Sequence, residues 1–288
     1  MLLLNKALRL LVNISSTLIG PKALPVKSYN VLIKNGINIR VYKPCSNKIT
    51  YPVMVYYHGG GWVIGSIKAY DRVLKHICYH ADCIIVAIEY RKAPEHKFPV
   101  ALEDAYLGYN WLIDNITSMQ GNQNKVILCG DSAGGNLSIG LLQLLYKNSP
   151  GTIKHSLLIL IYPLLESKIT RQNKYYKDIL IYKVSEAILK YALNQYLKDP
   201  SQKESPYINL LNNFDYDIPY PPTLLITAEL DALNPDIKDY VRKLESLHVK
   251  VVVKDYPRAI HGFINFAGIS KKATLALNDI VTYILAHT

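Results

Sequence analysis

One stretch constrains the chain more than any other: Val126-Ile127-Leu128-Cys129-Gly130-Asp131-Ser132-Ala133-Gly134-Gly135-Asn136. An apolar run that reads as a buried strand breaks off in Gly-Asp-Ser-Ala-Gly-Gly, and a helical pattern starts at Asn136. A serine thrust out on a strand-to-helix turn is a nucleophile elbow. The turn is so tight that its flanking positions exclude a Cβ, which accounts for Gly130 and Gly134. The five-residue pattern is weak by itself. It gains force only if a base, an orienting acid and donors for an oxyanion lie at workable places elsewhere.

The rest of the chain supplies a scaffold that puts them there. Val26 to Pro44 reads as two antiparallel strands turning at Lys34-Asn35-Gly36. Pro52 to Tyr57, Cys83 to Tyr90, Leu157 to Tyr162, Thr223 to Ala228 and Val249 to Tyr256 read as buried strands. Helical patterns fall between them: Ile67 to Ala81, a helix opened by Pro99, Ile237 to His248, and a last one ending near His287. Alternating units with uncharged strand interiors predict an α/β fold, a mostly parallel central sheet with helices on both faces. Active groups then lie beyond the carboxyl ends of the strands. Leu164 to Pro222 breaks the alternation with a helical stripe from Val184 to Leu197, and reads as a cap inserted over those strand ends.

A serine hydroxyl needs a base, and a histidine base needs a carboxylate to hold its tautomer. In the order nucleophile, acid, histidine, two stretches after Ser132 fit. Thr227-Ala228-Glu229-Leu230-Asp231 places a carboxylate just past a strand, with Glu229 and Asp236 as competitors to Asp231. Pro257 to Phe263 places His261 in the loop after the next strand, whereas His248 and His287 lie at helix ends away from it. Gly59-Gly60-Gly61 follows a strand and bares backbone N–H groups for an oxyanion; the Ala133 N–H, at the start of the elbow helix, points to the same spot. A phosphate cradle is the rival use of a glycine run, but no GxxxxGK[ST] and no GxGxxG helix follows. Trp62, Tyr162 and Phe263 stand after strand ends, where they can wall a pocket or simply pack.

Composition closes off other classes. The chain has 288 residues, half of them hydrophobic, enough for one large domain with a sizeable core. Its net charge of +11 comes from 33 Lys and Arg scattered along the chain, without the basic, aromatic-interleaved cluster of a nucleic-acid binder. Four cysteines make no disulfide framework, and His76, His80 and Cys83 lack the companions of a zinc site, so no metal and no cofactor is expected. No uncharged apolar run reaches about 18 residues. Leu4, Leu8 and Leu11, with Leu3, Ala7 and Ile14, form one stripe of an N-terminal amphipathic helix whose interrupted apolar core and poor cleavage site argue against a signal peptide. A cytoplasmic location is expected, export or membrane association through this segment being the alternative.

Four motifs stand in register: His58-Gly59-Gly60-Gly61-Trp62, Tyr90 to Pro99, Gly130-Asp131-Ser132-Ala133-Gly134-Gly135 and His261-Gly262-Phe263. In this order they resemble the hormone-sensitive-lipase-like (bacterial family IV type) carboxylesterases of the α/β-hydrolase superfamily, from about Val26 to the C-terminus. The resemblance implies a serine carboxylesterase acting on short- to medium-chain esters through an acyl-enzyme, with Ser132, Asp231 and His261 as triad. It implies an oxyanion hole of the Gly60, Gly61 and Ala133 N–H groups. It also implies a single α/β-hydrolase domain, 1–288, whose cap combines about residues 1–25 with about 164–222 over the site. His58 and the Arg91–Glu95 stretch are implied to brace the oxyanion loop. Two departures are a shorter N-terminal part and Pro235 where relatives carry an acidic pair. A small-molecule ester is the expected partner; homodimerisation and weak membrane-surface contact stay open. An amidase or deacetylase of small acetylated amines, a membrane-surface lipase and a non-catalytic receptor are the alternatives.

Overall fold

Strands that are apolar on both sides have to be covered on both sides, and here they are. The computed structural model describes residues 2–148, 155–168 and 180–288. Its strands are β1 Lys27–Leu32, β2 Asn38–Lys43, β3 Tyr51–Tyr57, β4 Ile84–Glu89, β5 Gly121–Asp131, β6 Leu157–Ile161, β7 Thr223–Leu230 and β8 Val251–Ile260. They form one eight-stranded sheet in the order β1-β2-β4-β3-β5-β6-β7-β8. β2 pairs antiparallel with β1 and with β4, and every pairing from β4 to β8 is parallel. All residues of β3 and β6 are buried, as a parallel sheet between helical layers requires. The helices are α1 Leu2–Ile19, α2 Ile67–Ala81, α3 Val100–Asn115, α4 Ala133–Asn148, α5 Leu180–Tyr196, α6 Asn234–Ser246 and α7 Lys271–His287.

Of the boundaries that differ from the sequence reading, three have a plain local reason. α4 begins at Ala133, not Asn136, because the Ser132 carbonyl already accepts the Asn136 N–H at 3.1 Å. α6 begins at Asn234, not Ile237: Pro235 falls in the first turn, where an N–H would have no helical partner anyway. β8 runs past Pro257 to Ile260; as the sheet's last strand it has a free edge, where a missing donor is tolerated.

The sheet sets the site. β3, β5, β7 and β8 all deliver their C-terminal ends to one edge, with Tyr57 opposite Gly130, Asp131 opposite Ile161 and Leu230 opposite Ile260. Ser132, Asp231 and His261 are each the next residue after such a strand. The insertion after β6 contributes α5; its residues 169–179 lie outside the described residues.

The N-terminal helix turns its polar side to the protein. Its apolar stripe is not buried over the site. Leu3 is 82% exposed and Leu18 75%, and Leu4, Leu10, Leu11 and Ile14 are exposed with them. The helix is held instead by its polar side, at the spacing Asn5, Arg9, Asn13, Ser16. Arg9 donates from Nε to the Val63 carbonyl at 2.8 Å and from Nη2 to the Ala93 carbonyl at 2.7 Å, and grips Glu95 with two further bonds of 2.8 Å. Asn13 accepts from Ser66, Asn5 accepts from the Tyr191 hydroxyl of α5 at 2.6 Å, and the Ile19 carbonyl accepts the Gly268 N–H at 2.9 Å. α1 therefore straps α5 and the loop after β3 to the turn after His261, with its leucines turned away from the protein.

Candidate active site

The turn after β5 is forced. A Cβ on Gly130 would lie 2.3 Å from the Gly134 carbonyl carbon, and one on Gly134 would lie 1.9 Å from the Tyr57 carbonyl oxygen. Between them Ser132 takes φ 53°, the left-handed region, which costs a side-chain-bearing residue about 1–3 kcal/mol. The surroundings over-determine it: the Ser132 N–H donates to the Ile161 carbonyl at 2.9 Å, and its carbonyl accepts from Asn136 and from Leu164. Ser132 is thereby lifted off the sheet at the N-terminus of α4.

His261 and Asp231 meet it there. The His261 Nε2 lies 2.9 Å from the Ser132 Oγ, and its Nδ1 lies 2.6 Å from the Asp231 Oδ2. Nδ1–H donated to the carboxylate leaves the Nε2 lone pair to accept the serine O–H. Asp231 is itself fixed, its Oδ1 accepting the Leu233 N–H at 3.0 Å. Of its competitors, Glu229 accepts the Arg258 N–H at 2.7 Å, and Asp236 is buried in the first turn of α6. Burial lowers the His261 pKa; the Asp231 carboxylate, with a smaller contribution from Asp131, outweighs it and leaves the imidazole above its ordinary value. Tyr162, fully buried, stands beside that imidazole at 4.8 Å between ring centres, and Phe263 backs Tyr162 at 5.9 Å.

The glycine run after β3 is a closed loop. The Gly60 carbonyl accepts the N–H groups of Val63 and Ile64, and Gly60 and Gly61 both have positive φ, 111° and 60°. A Cβ on Gly60 would meet the Ile64 carbonyl oxygen at 2.4 Å; one on Gly61 would meet the Ala192 methyl of α5 at 2.7 Å. The Ala133 N–H, first in α4, has no acceptor within the helix. His58 stacks on Tyr90 at 4.3 Å and donates from Nδ1 to the Gly59 carbonyl at 2.8 Å. Burial holds its pKa down at about 4, so it braces the loop as a neutral ring.

Asp131 escaped the sequence reading. Its Oδ1 accepts the Gly59 N–H and the Tyr56 hydroxyl, both at 2.7 Å, and its Oδ2 accepts the Tyr70 hydroxyl at 2.7 Å. Burial pushes its pKa up, and the two hydroxyls and the N–H partly hold it back. One carboxylate thus ties the elbow to the glycine loop. The available signal was an acid ending an uncharged buried strand, which must find donors; which donors, only the fold tells. Trp62 is fully buried and stacked on Tyr196 of α5 at 4.4 Å and 9°. Arg91 is held by the buried Asp104, while Lys97 and the Phe98 N–H bond the carbonyls of Leu197 and Tyr196, fastening the end of α5.

A hydroxyl, an imidazole and a carboxylate in line at the strand ends of such a sheet are the working parts of an α/β hydrolase. Comparison with known proteins agrees. Residues 54–265 match the family described as alpha/beta hydrolase fold. Carboxylesterase NlhH of Mycobacterium tuberculosis is 32% identical over 234 residues, 80% of this chain and 72% of that protein. Among solved structures, the hyperthermophilic esterase of the archaeon Pyrobaculum calidifontis superposes with a TM-score of 0.85 at 31% identity, covering 98% of this chain and 93% of that one. The thermostable carboxylesterase EstE1, from a metagenomic library, gives 0.85 at 27% identity over 98% and 97%. The chain belongs to the α/β-hydrolase family, in its hormone-sensitive-lipase-like branch, and is a hydrolytic enzyme.

Proposed function

We propose that the protein is a serine carboxylesterase cleaving short- and medium-chain carboxylic esters through an acyl-enzyme. The observation that carries this reading is the relay Ser132 Oγ, His261 Nε2 at 2.9 Å, His261 Nδ1, Asp231 Oδ2 at 2.6 Å. The carboxylesterase and esterase names of the relatives support the ester as substrate.

In this reading the Ser132 Oγ attacks the ester carbonyl carbon as its proton passes to the His261 Nε2. Asp231 stabilises the imidazolium through Nδ1–H without taking its proton. The carbonyl oxygen, now an anion, is held by the N–H groups of Gly60, Gly61 and Ala133, preset by the loop and by α4. Collapse expels the alcohol, which leaves with the proton from Nε2. A water then repeats the sequence on the acyl-serine, releasing the acid and restoring Ser132. The close seat of α5 on Gly61 and Trp62 supports a roof that limits acyl length.

The test is hydrolysis of a nitrophenyl ester series, with a phosphonate inhibitor to label the nucleophile. Rates highest on the short and medium esters, with the label on Ser132, are expected. A label elsewhere, or no turnover by the folded protein, would sink the reading.

A further inference from the structure

We propose that the outward face of α1 docks the protein on anionic lipid bilayers. Most amphipathic surface helices bury their apolar stripe and show their polar one. α1 does the reverse, and it is not loose: Arg9, Asn13 and Asn5 are each engaged by the protein on the opposite side. What it presents outward is Leu3, Leu4, Leu10, Leu11, Ile14 and Leu18, at helical spacing on one side and all exposed. An apolar face held outward by specific polar bonds is a displayed surface.

α5 has an exposed apolar stripe of its own. Leu180, Val184 and Ile188 are exposed and fall at i, i+4 and i+8, on the same side as Tyr191, whose hydroxyl holds Asn5 of α1. That bond reaches α1 through Asn5, on the inward polar side opposite its leucines.

Charge selects the occupant. The first acidic residue of the chain is Asp71; residues 1–70 contain nine Lys and Arg and no Asp or Glu. Exposed Lys6 and Lys22 flank the leucines of α1, and Lys183 and Lys190 stand on α5, where Glu186 is the only acid among the described residues and pairs with Lys190. A leucine face rimmed by cations is complementary to an interface with acyl chains inside and anionic headgroups outside. A nucleic acid would match the cations and leave the leucines wet.

The experiment is vesicle sedimentation of the full chain, and binding is read apart from hydrolysis, so Ser132→Ala serves equally well. Vesicles of phosphatidylcholine with roughly 30 mol% phosphatidylglycerol are set against phosphatidylcholine alone, at low and high salt. Expected is pelleting with the anionic vesicles, weakened by salt. The combined variant Leu10→Gln, Leu11→Gln, Leu18→Gln should weaken it by about tenfold or more, and Lys6→Gln by about fivefold. These residues are exposed and outside the catalytic machinery, so hydrolysis of a soluble short ester stays unchanged in both. No pelleting, or pelleting that the leucine variant keeps, overturns the proposal. So does a wild-type dimer that the leucine variant turns into a monomer, which would make this face a contact between copies.

Discussion

In the proposed reading two parts of the molecule close on Ser132, and they are fastened in opposite ways. The floor, made of the elbow and the loop Gly59 to Gly65, is buried and tied by short bonds that converge on Asp131 and His58. The roof, α5 and the strap α1, is joined to it through a few polar bonds and one aromatic stack, and it turns leucines outward. The difference teaches where rigidity is needed. Oxyanion donors and a nucleophile act only if preset to a fraction of an ångström. A roof has only to admit, cover and release.

If that contrast is right, damage should fall steeply from floor to roof. The largest effects belong to the relay itself. Ser132→Ala and His261→Ala should each lower kcat by about 10⁴- to 10⁶-fold, with the double variant little worse, because the members act as a unit. Asp231→Asn should cost less, and Asp236→Asn almost nothing. Full activity in Asp231→Asn with loss in Asp236→Asn would transfer the acid's role to the other carboxylate.

Next come the glycines, which separate floor from roof inside one loop. Gly60→Ala and Gly61→Ala should each lower kcat by roughly 10²- to 10³-fold, the usual worth of one donor. Their obstacles differ: Gly60 would strike the backbone of Ile64, Gly61 only the methyl of Ala192 on the cap. Adding Ala192→Gly should therefore return part of the loss in Gly61→Ala and none in Gly60→Ala. Equal rescue of both, or of neither, would break the division. A rise in KM alone would mean that these glycines line a pocket instead of holding the oxyanion.

How much of this was legible depended on what burial dictates. β3, β4 and β6 could be read to within a residue or so because every side chain but Glu89 is buried, which leaves an uncharged apolar run with sharp ends. Asp231 and His261 were singled out by one rule, that active groups follow strand ends, and the register Leu230 to Ile260 brings the two side by side. The Asp131 hub was not legible: Tyr56 and Tyr70 meet it only after β3 and α2 have packed. Nor was the orientation of α1, because an amphipathic period fixes that a helix has two faces and leaves open which one the protein takes. Arg9 decided it, through partners more than eighty residues away in Ala93 and Glu95.

A gentler test works on electrostatics. His261 has a pKa above its ordinary value, and it must be neutral to accept the serine proton, so kcat/KM should rise with pH through a single step above about 6.5. Asp131→Asn keeps an acceptor for Gly59 and removes one charge that raises that pKa. It should move the step to lower pH and reduce kcat by something on the order of tenfold. A step that stays in place would show that Asp131 works only as a tether. The smallest effect belongs to the roof: Arg9→Ala should raise KM for a short ester about threefold and scarcely alter kcat. In the native protein that clasp outlasts acid. Glu95, gripped by Arg9, is held down at about 2, so the link is complete above the ordinary carboxyl range and lost only as pH falls through that value.

The bond between Asp131 and Gly59 has a consequence for inheritance. A Cβ at position 59 would lie 2.3 Å from the Asp131 Oδ2, so any larger residue there must displace the carboxylate that its own N–H needs. Changing the acid first to a residue without a side-chain acceptor strands that N–H; changing the glycine first evicts the acid. Each step alone leads downhill, although the two codons lie 72 residues apart. In a library of random variants these positions should travel as one locus, and a swap at either should survive only in genomes that already carry its counterpart.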